Sequence, residues 1–291
     1  MNKLAAIVLS VIFSVIVSWY VVTHYATSAA SSAPAESKQS VYDRVMSSGT
    51  IRCGYFEEAP FTIIDPNTGA KSGIAVELAE KIGKELGLKI EWTVATGFGT
   101  LVNDLSQNKY DVVCGSLFSL PRGGRIDYTM PYTYVPVFAY TQAGRIDFDN
   151  KLDQLDWSQV SVAGLDDEGG TTAARKKVPN ARFVILPQTS QIADMLTSVA
   201  DKKADIAFVM PTVFKKFNAN NPGKLAKIQT DRPFYVFTVT FGVKSGEPAF
   251  KNMLDFVMRN LVAEGYVDDL FKKYDPDGLL FRPAALYKMA Q

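Results

Sequence analysis

From about residue 50 onward, short apolar runs alternate with stretches in which apolar side chains recur every three or four positions, the pattern of parallel strands joined by crossover helices. "GTIRCGYF" predicts a first strand. In "IAVELAEKIGKELGL", Ile74, Leu78, Ile82 and Leu86 stand four apart on one helical face, and Gly87 suits the left-handed cap that ends such a helix. A strand "KIEWTVA", a short helix "TLVNDLSQ" and a strand "YDVVCGSLF" follow, the last apolar enough for the middle of a sheet. After residue 140 the order recurs as strand "VSVAGL", helix "TTAARKKV", strand "RFVIL", helix "SQIADMLTSVADK" and strand "ADIAFVM". Ile192, Met195, Leu196 and Val199 mark the buried stripe of the last of these helices. "NKYDVVCG" and "KKADIAFVM" correspond: in each, a polar turn and an Asp lead from a helix into a buried strand, so two similar lobes are the economical reading. "YVFTVTFGVK" adds a late strand, and "PAFKNMLDFVMRNLVAEG" with "YVDDLFKKY" adds closing helices expected to return to the first lobe.

The beginning of the chain follows no such alternation. Lys3 precedes "LAAIVLSVIFSVIVSWYVV", an uncharged run that as a helix reaches about 28 Å, close to a bilayer core. It is long for a secretion signal, yet the small residues of "SAASSAPA" behind it suit a signal peptidase, so a signal peptide and a membrane anchor over residues 4–22 both stay open. Either way, no Lys or Arg follows until Lys38, and the positive-inside rule sends the rest of the chain across the membrane. The expected organisation is a signal or anchor (1–25), a flexible linker (26–45), a discontinuous first lobe (46–140 and 235–285) and a second lobe (141–234).

Composition then removes whole classes of chemistry. The formal charge of +1 gives no field that draws the protein to nucleic acid. The only histidine, His24, lies beside the N-terminal apolar run, which excludes a Ser-His-Asp triad or a His-ligated zinc in the exported part. Cys53 and Cys114 are too few and too far apart for a thiolate cage or a C-x-x-C pair; buried apolar side chains are the first reading, and whether the two pair stays open. No cofactor or metal is expected.

In open parallel sheets, ligands gather at the carboxyl ends of strands, where loops and helix N-termini expose backbone donors. "CGSLFSLPRGGRIDYT" stands at such an end: Gly115 and Ser116 let a ligand approach the backbone, and Arg122 offers a planar fork suited to a carboxylate. Six segments, "GTIRCGY…APF", "SGIAVELAEKIGKELGLKIEW", "FGTLVNDLSQNKYDVVCG", "PRGGRIDYTMPY", "KKADIAFV" and "LVAEGYVDDLFKKY", occur in the order they take in extracytoplasmic solute-binding proteins of the polar amino-acid type, and the chain resembles that family from about Gly49 to Tyr274. The resemblance implies an α/β, type II periplasmic-binding-protein-like fold of two lobes, each a mainly parallel sheet flanked by helices, joined by two crossover hinge strands. It implies a monomeric receptor that hands a small carboxylate or amino acid to ABC permease subunits. In that reading Arg122 clamps the ligand carboxylate beside backbone groups near Gly115 and Leu117, and Phe98 stacks on the ligand side chain.

The departures from the family pattern bear on the ligand. Where family members place an Asp that holds the ligand ammonium, this chain has Met210, and a thioether cannot neutralise an ammonium. Either another acid takes over or the ligand lacks a free α-amine. Glu57, Glu58, Asp166, Asp167 and Glu168 are the available acids, Glu57 and Glu58 lying in the loop after the first strand, where the family often shows an aromatic. The helix-start motif of the second lobe matches Gly170, Thr171 and Thr172, whereas an ungapped count points to Asp167, Glu168 and Gly169. Tyr55, Phe56 and the stretch "FSL" extend the apolar wall of the first lobe. Two other functions are carried beside transport: a membrane-anchored ligand sensor, and an enzyme like the cyclohexadienyl dehydratases, which resemble this family and use a cleft carboxylic acid. The second requires a glutamate whose burial keeps its proton.

Overall fold

The computed structural model describes residues 12–21, 39–97, 99–118, 124–166, 168–187 and 189–283. The chain falls into two units that divide between Ser40 and Val41. In the first, residues 12–21 form a helix, α1, whose apolar side chains, Phe13, Trp19 and Tyr20 among them, are exposed. The remainder of the expected apolar span lies outside the described residues, and among those described no helix is long and apolar enough to cross a membrane.

The second unit begins with a helix, α2 (Val41–Ser48), inside the stretch whose composition reads as linker; Val41 and Val45 anchor it to the core. Strand β1 (Thr50–Tyr55) follows, then a two-stranded ribbon, β2 (Ile63–Ile64) and β3 (Lys71–Ser72), and the helix α3 (Ile74–Leu86). Helix α3 buries Ile74, Leu78 and Ile82 as the four-residue spacing predicts, and Gly87 closes it in the left-handed conformation, its N–H reaching the carbonyls of Gly83 and Lys84. Next come β4 (Lys89–Ala95), α4 (Leu101–Ser106) and β5 (Val112–Phe118), of which β5 is buried along nearly its whole length. A short strand β6 (Ile126–Tyr128) leads to the long strand β7 (Thr133–Gln142).

The repeat predicted from the sequence is present after β7. A single 3-10 turn (Trp157–Gln159) precedes β8 (Ser161–Leu165), α5 (Gly169–Lys177), β9 (Arg182–Leu186), α6 (Ile192–Ala200) and β10 (Ile206–Val209). Helix α7 (Pro211–Asn220), strand β11 (Leu225–Lys227), the long strand β12 (Tyr235–Lys244) and helices α8 (Pro248–Ala263) and α9 (Tyr266–Tyr274) complete the fold. The last two helices pack on α3; Glu77 of α3 accepts hydrogen bonds from Lys273 and from the Tyr274 hydroxyl.

The strands pair in the order β4-β1-β5-β12-β7-β10-β8-β9, with β6 beside β12 and β11 beside β7. Two parallel trios, β4-β1-β5 and β9-β8-β10, therefore flank an antiparallel pair, β12 and β7. Each strand of that pair is shared: Thr133–Val137 of β7 bonds to β12 before Phe138–Gln142 goes on to β10 and β11, and β12 goes on from Val239 to β5. Helices cover both faces of the trios, as parallel sheets require.

The correspondence between "NKYDVVCG" and "KKADIAFVM" has a physical basis. Asp111 donates its N–H to the Arg52 carbonyl and accepts from the Arg52 N–H at 2.7 Å, locking the start of β5 to β1. Asp205 does the same across β10 and β8, donating to the Ser161 carbonyl and accepting from the Ser161 N–H at 2.8 Å. Each carboxylate also holds arginine: Arg44 and Arg52 on Asp111, Arg145 on Asp205. The two cysteines are not separate apolar fillers. Cys53 and Cys114 form a disulfide between neighbouring strands β1 and β5, a pairing that the sequence leaves open because their separation of 61 residues gives no sign of adjacency.

The side chain of Asp111 is fully buried, and Asp111→Ala would leave Arg44 and Arg52 without their carboxylate. It should cost about 3 kcal/mol or more; urea denaturation measures this, and a loss below about 1 kcal/mol would show that the repeated Asp is not a structural clamp.

Candidate functional site

The carboxyl end of β5 is shaped by side chains that alternate across the sheet. Val113 and Leu117 point into a cluster with Leu101, Leu105, Tyr110, Ile126 and Phe56. Phe56 lies over Gly115, close enough that a Cβ there would be in van der Waals contact with its ring at 3.4 Å. The side chains of Leu117 and Phe56 thus belong to the core, which withdraws Phe56 from the expected apolar wall; Leu117 was expected to offer backbone groups only. Cys114, Ser116 and Phe118 point to the other face. There Phe118 stacks on Phe237 of β12 with ring centroids 4.4 Å apart, and Phe237 meets Tyr235 at 4.8 Å, so the aromatic surface beside Ser116 comes from β5 and β12.

Ser116 is buried, and its hydroxyl donates to the Glu58 carboxylate. Glu58 is held in the loop after β1 by its own backbone, which bonds to Thr62 in both directions. Burial raises the Glu58 carboxyl from 4.5 to about 7; the Ser116 hydrogen bond opposes this, and the charge of Glu168 adds to it. The Tyr132 phenol, just before β7, is pushed well above its ordinary range by burial and then by Glu58, while its hydroxyl donates to the Gly115 carbonyl at 2.9 Å.

Glu168 comes from the other parallel trio. It is the N-cap of α5, and its carboxylate accepts from the N–H groups of Gly170 and Thr171, each at 2.7 Å, and from the Thr171 hydroxyl at 3.1 Å. The Thr171 hydroxyl in turn accepts from the Leu165 N–H. In the structure α5 starts at Gly169, Glu168 occupies the backbone N–H donors of Gly170 and Thr171, and Thr172 is exposed. Met210 is the N-cap of α7 and is buried in the main core. Phe98, Arg122 and Asp167 lie outside the described residues.

Of the expected site residues that the structure describes, then, Gly115, Ser116 and Glu58 lie together at the end of β5 and the loop after β1, Gly170 and Thr171 bond to Glu168, whose charge acts on Glu58, and the side chains of Phe56, Leu117 and Met210 turn inward. Tyr132 was not anticipated, and neither was the capping role of Glu168; Glu-Gly-Gly-Thr just before a helix was the available signal for the latter. Two carboxyl groups from separate halves of the fold, one of them holding its proton near neutral pH, can bind a cation or exchange a proton. Among the described residues no cluster of His, Cys, Asp and Glu is arranged to hold a metal.

Comparison with known proteins adds the following. The family model described as bacterial extracellular solute-binding proteins, family 3, matches residues 51–276. The chain is 25% identical to an amino-acid-binding protein of Dichelobacter nodosus, AabA, over 225 residues, covering 77% of this chain and 86% of that one. An ancestral amino acid-binding protein, described as a precursor of cyclohexadienyl dehydratase, is similar in structure with a TM-score of 0.64 at 23% identity, covering 81% of this chain and 99% of that one. A binding component of an ABC transporter from Wolinella succinogenes, solved with lysine, also has a TM-score of 0.64 at 23% identity, with 78% and 95% covered.

A carboxyl that keeps its proton in the folded state adds stability at low pH that is lost as the pH rises through about 7. Glu58→Gln should leave stability unchanged near pH 4 and raise it above pH 7 by on the order of 2 kcal/mol in the ligand-free protein. Urea denaturation at the two pH values measures this, and an equal effect at both would show that Glu58 titrates as an ordinary surface carboxyl.

Proposed function

Because the chain belongs to the bacterial extracellular solute-binding proteins, family 3, we propose that it is an extracytoplasmic receptor whose two lobes, 46–140 with 235–285 and 141–234, close around a small amino acid or related organic acid for delivery to an ABC importer. The observation that carries this reading is the meeting of Glu58 and Ser116, at the strand ends of one parallel trio, with Glu168, at the helix start of the other. A solute held there touches both halves, and β7 with β12 is the connection about which they turn. In this reading Arg122 supplies the carboxylate clamp and Phe98 the stacking ring, while Phe118, Phe237 and Tyr235 form the aromatic surface near Ser116.

An amino-acid ligand is favoured by the relatives, one named for binding amino acids and one solved with lysine. An oxidising compartment is favoured by the Cys53–Cys114 disulfide, since such bonds persist outside the cytosol. The exposed apolar helix α1 fits a leader or a membrane tether over residues 4–22. With a tether the same lobes can report the solute to a membrane partner. In the main reading no bond is broken and the receptor acts as a monomer.

A dehydratase on the same scaffold is the second reading, favoured by one feature: Glu58 holds its proton to about pH 7 and can donate it to a leaving hydroxyl. Turnover of prephenate or arogenate by the purified protein, abolished in Glu58→Gln, would establish it.

A thermal-shift screen of the amino acids, cystine and their deaminated acids tests the main reading. A ligand at 100 times its Kd adds about 2.7 kcal/mol, which for a chain of this size raises the Tm by roughly 5–10 °C. A screen in which nothing shifts the Tm contradicts it. Arg122→Ala should cost roughly 2–5 kcal/mol of affinity for the best ligand, and unchanged binding would remove the clamp from Arg122.

A further inference from the structure

We infer that Glu58 receives the ammonium group of the bound amino acid and does so by giving up a proton to solvent, so that solute capture is coupled to proton release. This rests on the amino-acid-binding reading above. A zwitterion enclosed between two lobes needs a partner for each charge, because an unpaired ion in a dry site is costly. Of the acids read from the sequence, Glu57 and Asp166 are exposed, which leaves two among the described residues of the site for the cation. Glu168 already accepts three hydrogen bonds from the first turn of its own helix. Glu58 accepts one, from Ser116, through Oε2, and its other oxygen has no hydrogen-bond partner among the described residues. Met210, the remaining candidate position, is a buried thioether.

The groups that face Glu58 define what it lacks. From β5 comes the Ser116 hydroxyl, from the start of β7 the Tyr132 phenol, and from the N-terminus of α5 the Glu168 carboxylate. Tyr132 is committed to the Gly115 carbonyl, and Glu168 is a like charge. No lysine or arginine among the described residues pairs with Glu58. A carboxyl in this setting is neutral near pH 7 and holds a proton where a cation belongs. When the ligand ammonium arrives, the carboxyl ionises, its proton passes to water, and the new pair is bonded by the ammonium N–H donors. The charge balances: a neutral acid and a cation become an ion pair and a released proton. The chain has a single histidine, His24, ahead of the second unit, so no imidazole of that unit competes for this signal.

The test is calorimetric titration of the full chain with L-lysine, L-arginine and L-cystine at pH 6 and pH 8.5, each in two buffers of different ionisation enthalpy. Binding should release about one proton at pH 6; at pH 8.5, where Glu58 is already ionised, release should vanish and any exchange should be uptake by the ligand's own partly deprotonated α-amine, and affinity should fall by up to about tenfold for each pH unit below 7. Glu58→Gln should abolish both effects and weaken binding at pH 8.5 by at least about tenfold. Glu168→Gln, which removes the facing charge, should retain proton release and move its midpoint to lower pH. An amino acid that binds at pH 6 without releasing a proton, or that binds Glu58→Gln with unchanged affinity, overturns the inference and leaves the receptor reading intact. Failure of every amino acid to bind at either pH rejects the amino-acid reading itself and this inference with it.

Discussion

The antiparallel pairing of β7 with β12 is the constraint on which the arrangement depends. Five residues of each strand, Thr133–Val137 and Tyr235–Val239, bond to one another, and both strands then leave for different trios. The register of β12 against β5 fixes where Ser116 lies, because Thr240 pairs with Leu117. The register of β7 against β10, and of β10 against β8, fixes where α5 begins. The positions of Glu58 and Glu168 are thus both set through the same central pair.

Within each trio the same device is used twice. A strand enters the sheet through an Asp that trades backbone and side-chain hydrogen bonds with the neighbouring strand, Asp111 on Arg52 and Asp205 on Ser161. In the first trio the Cys53–Cys114 disulfide adds a covalent link between the same two strands, close to the point where β5 delivers Ser116. The strand ends that carry the site are thus held by charge-assisted bonds well inside the fold, and the loops above them are free to carry the chemistry.

Much of this was legible in the sequence, for identifiable reasons. Strands such as "YDVVCGSLF" are buried on both faces and read as continuous apolar runs; α3 and α6 declare themselves through a one-sided stripe; and the Asp repeat marks the internal correspondence. Helix α7 escaped, since Phe217 is its one buried residue and no stripe results, and α2 escaped because only Val41 and Val45 anchor it beside polar residues. The side of the strand on which a residue falls was harder to read. Leu117 is core because β5 alternates, with Phe56 from the loop after β1 packed in the same cluster, and only the paired register reveals that Ser116 and Phe118 take the opposite face. The N-cap role of Glu168 was hidden by a competing alignment that started the helix one or two residues later.

The account turns on the state of one carboxyl group. Glu58 sits under a serine hydroxyl, opposite another glutamate and without a described cation, and a neutral acid there explains how a site lined by two glutamates can exist before its ligand arrives. The most direct check is a carbon-13 NMR titration of the Glu58 side-chain carboxyl in the ligand-free protein, assigned by comparison with Glu58→Gln. A midpoint near pH 7 is the predicted result; a midpoint at about 4.5, the value of an unperturbed glutamate, would contradict the account.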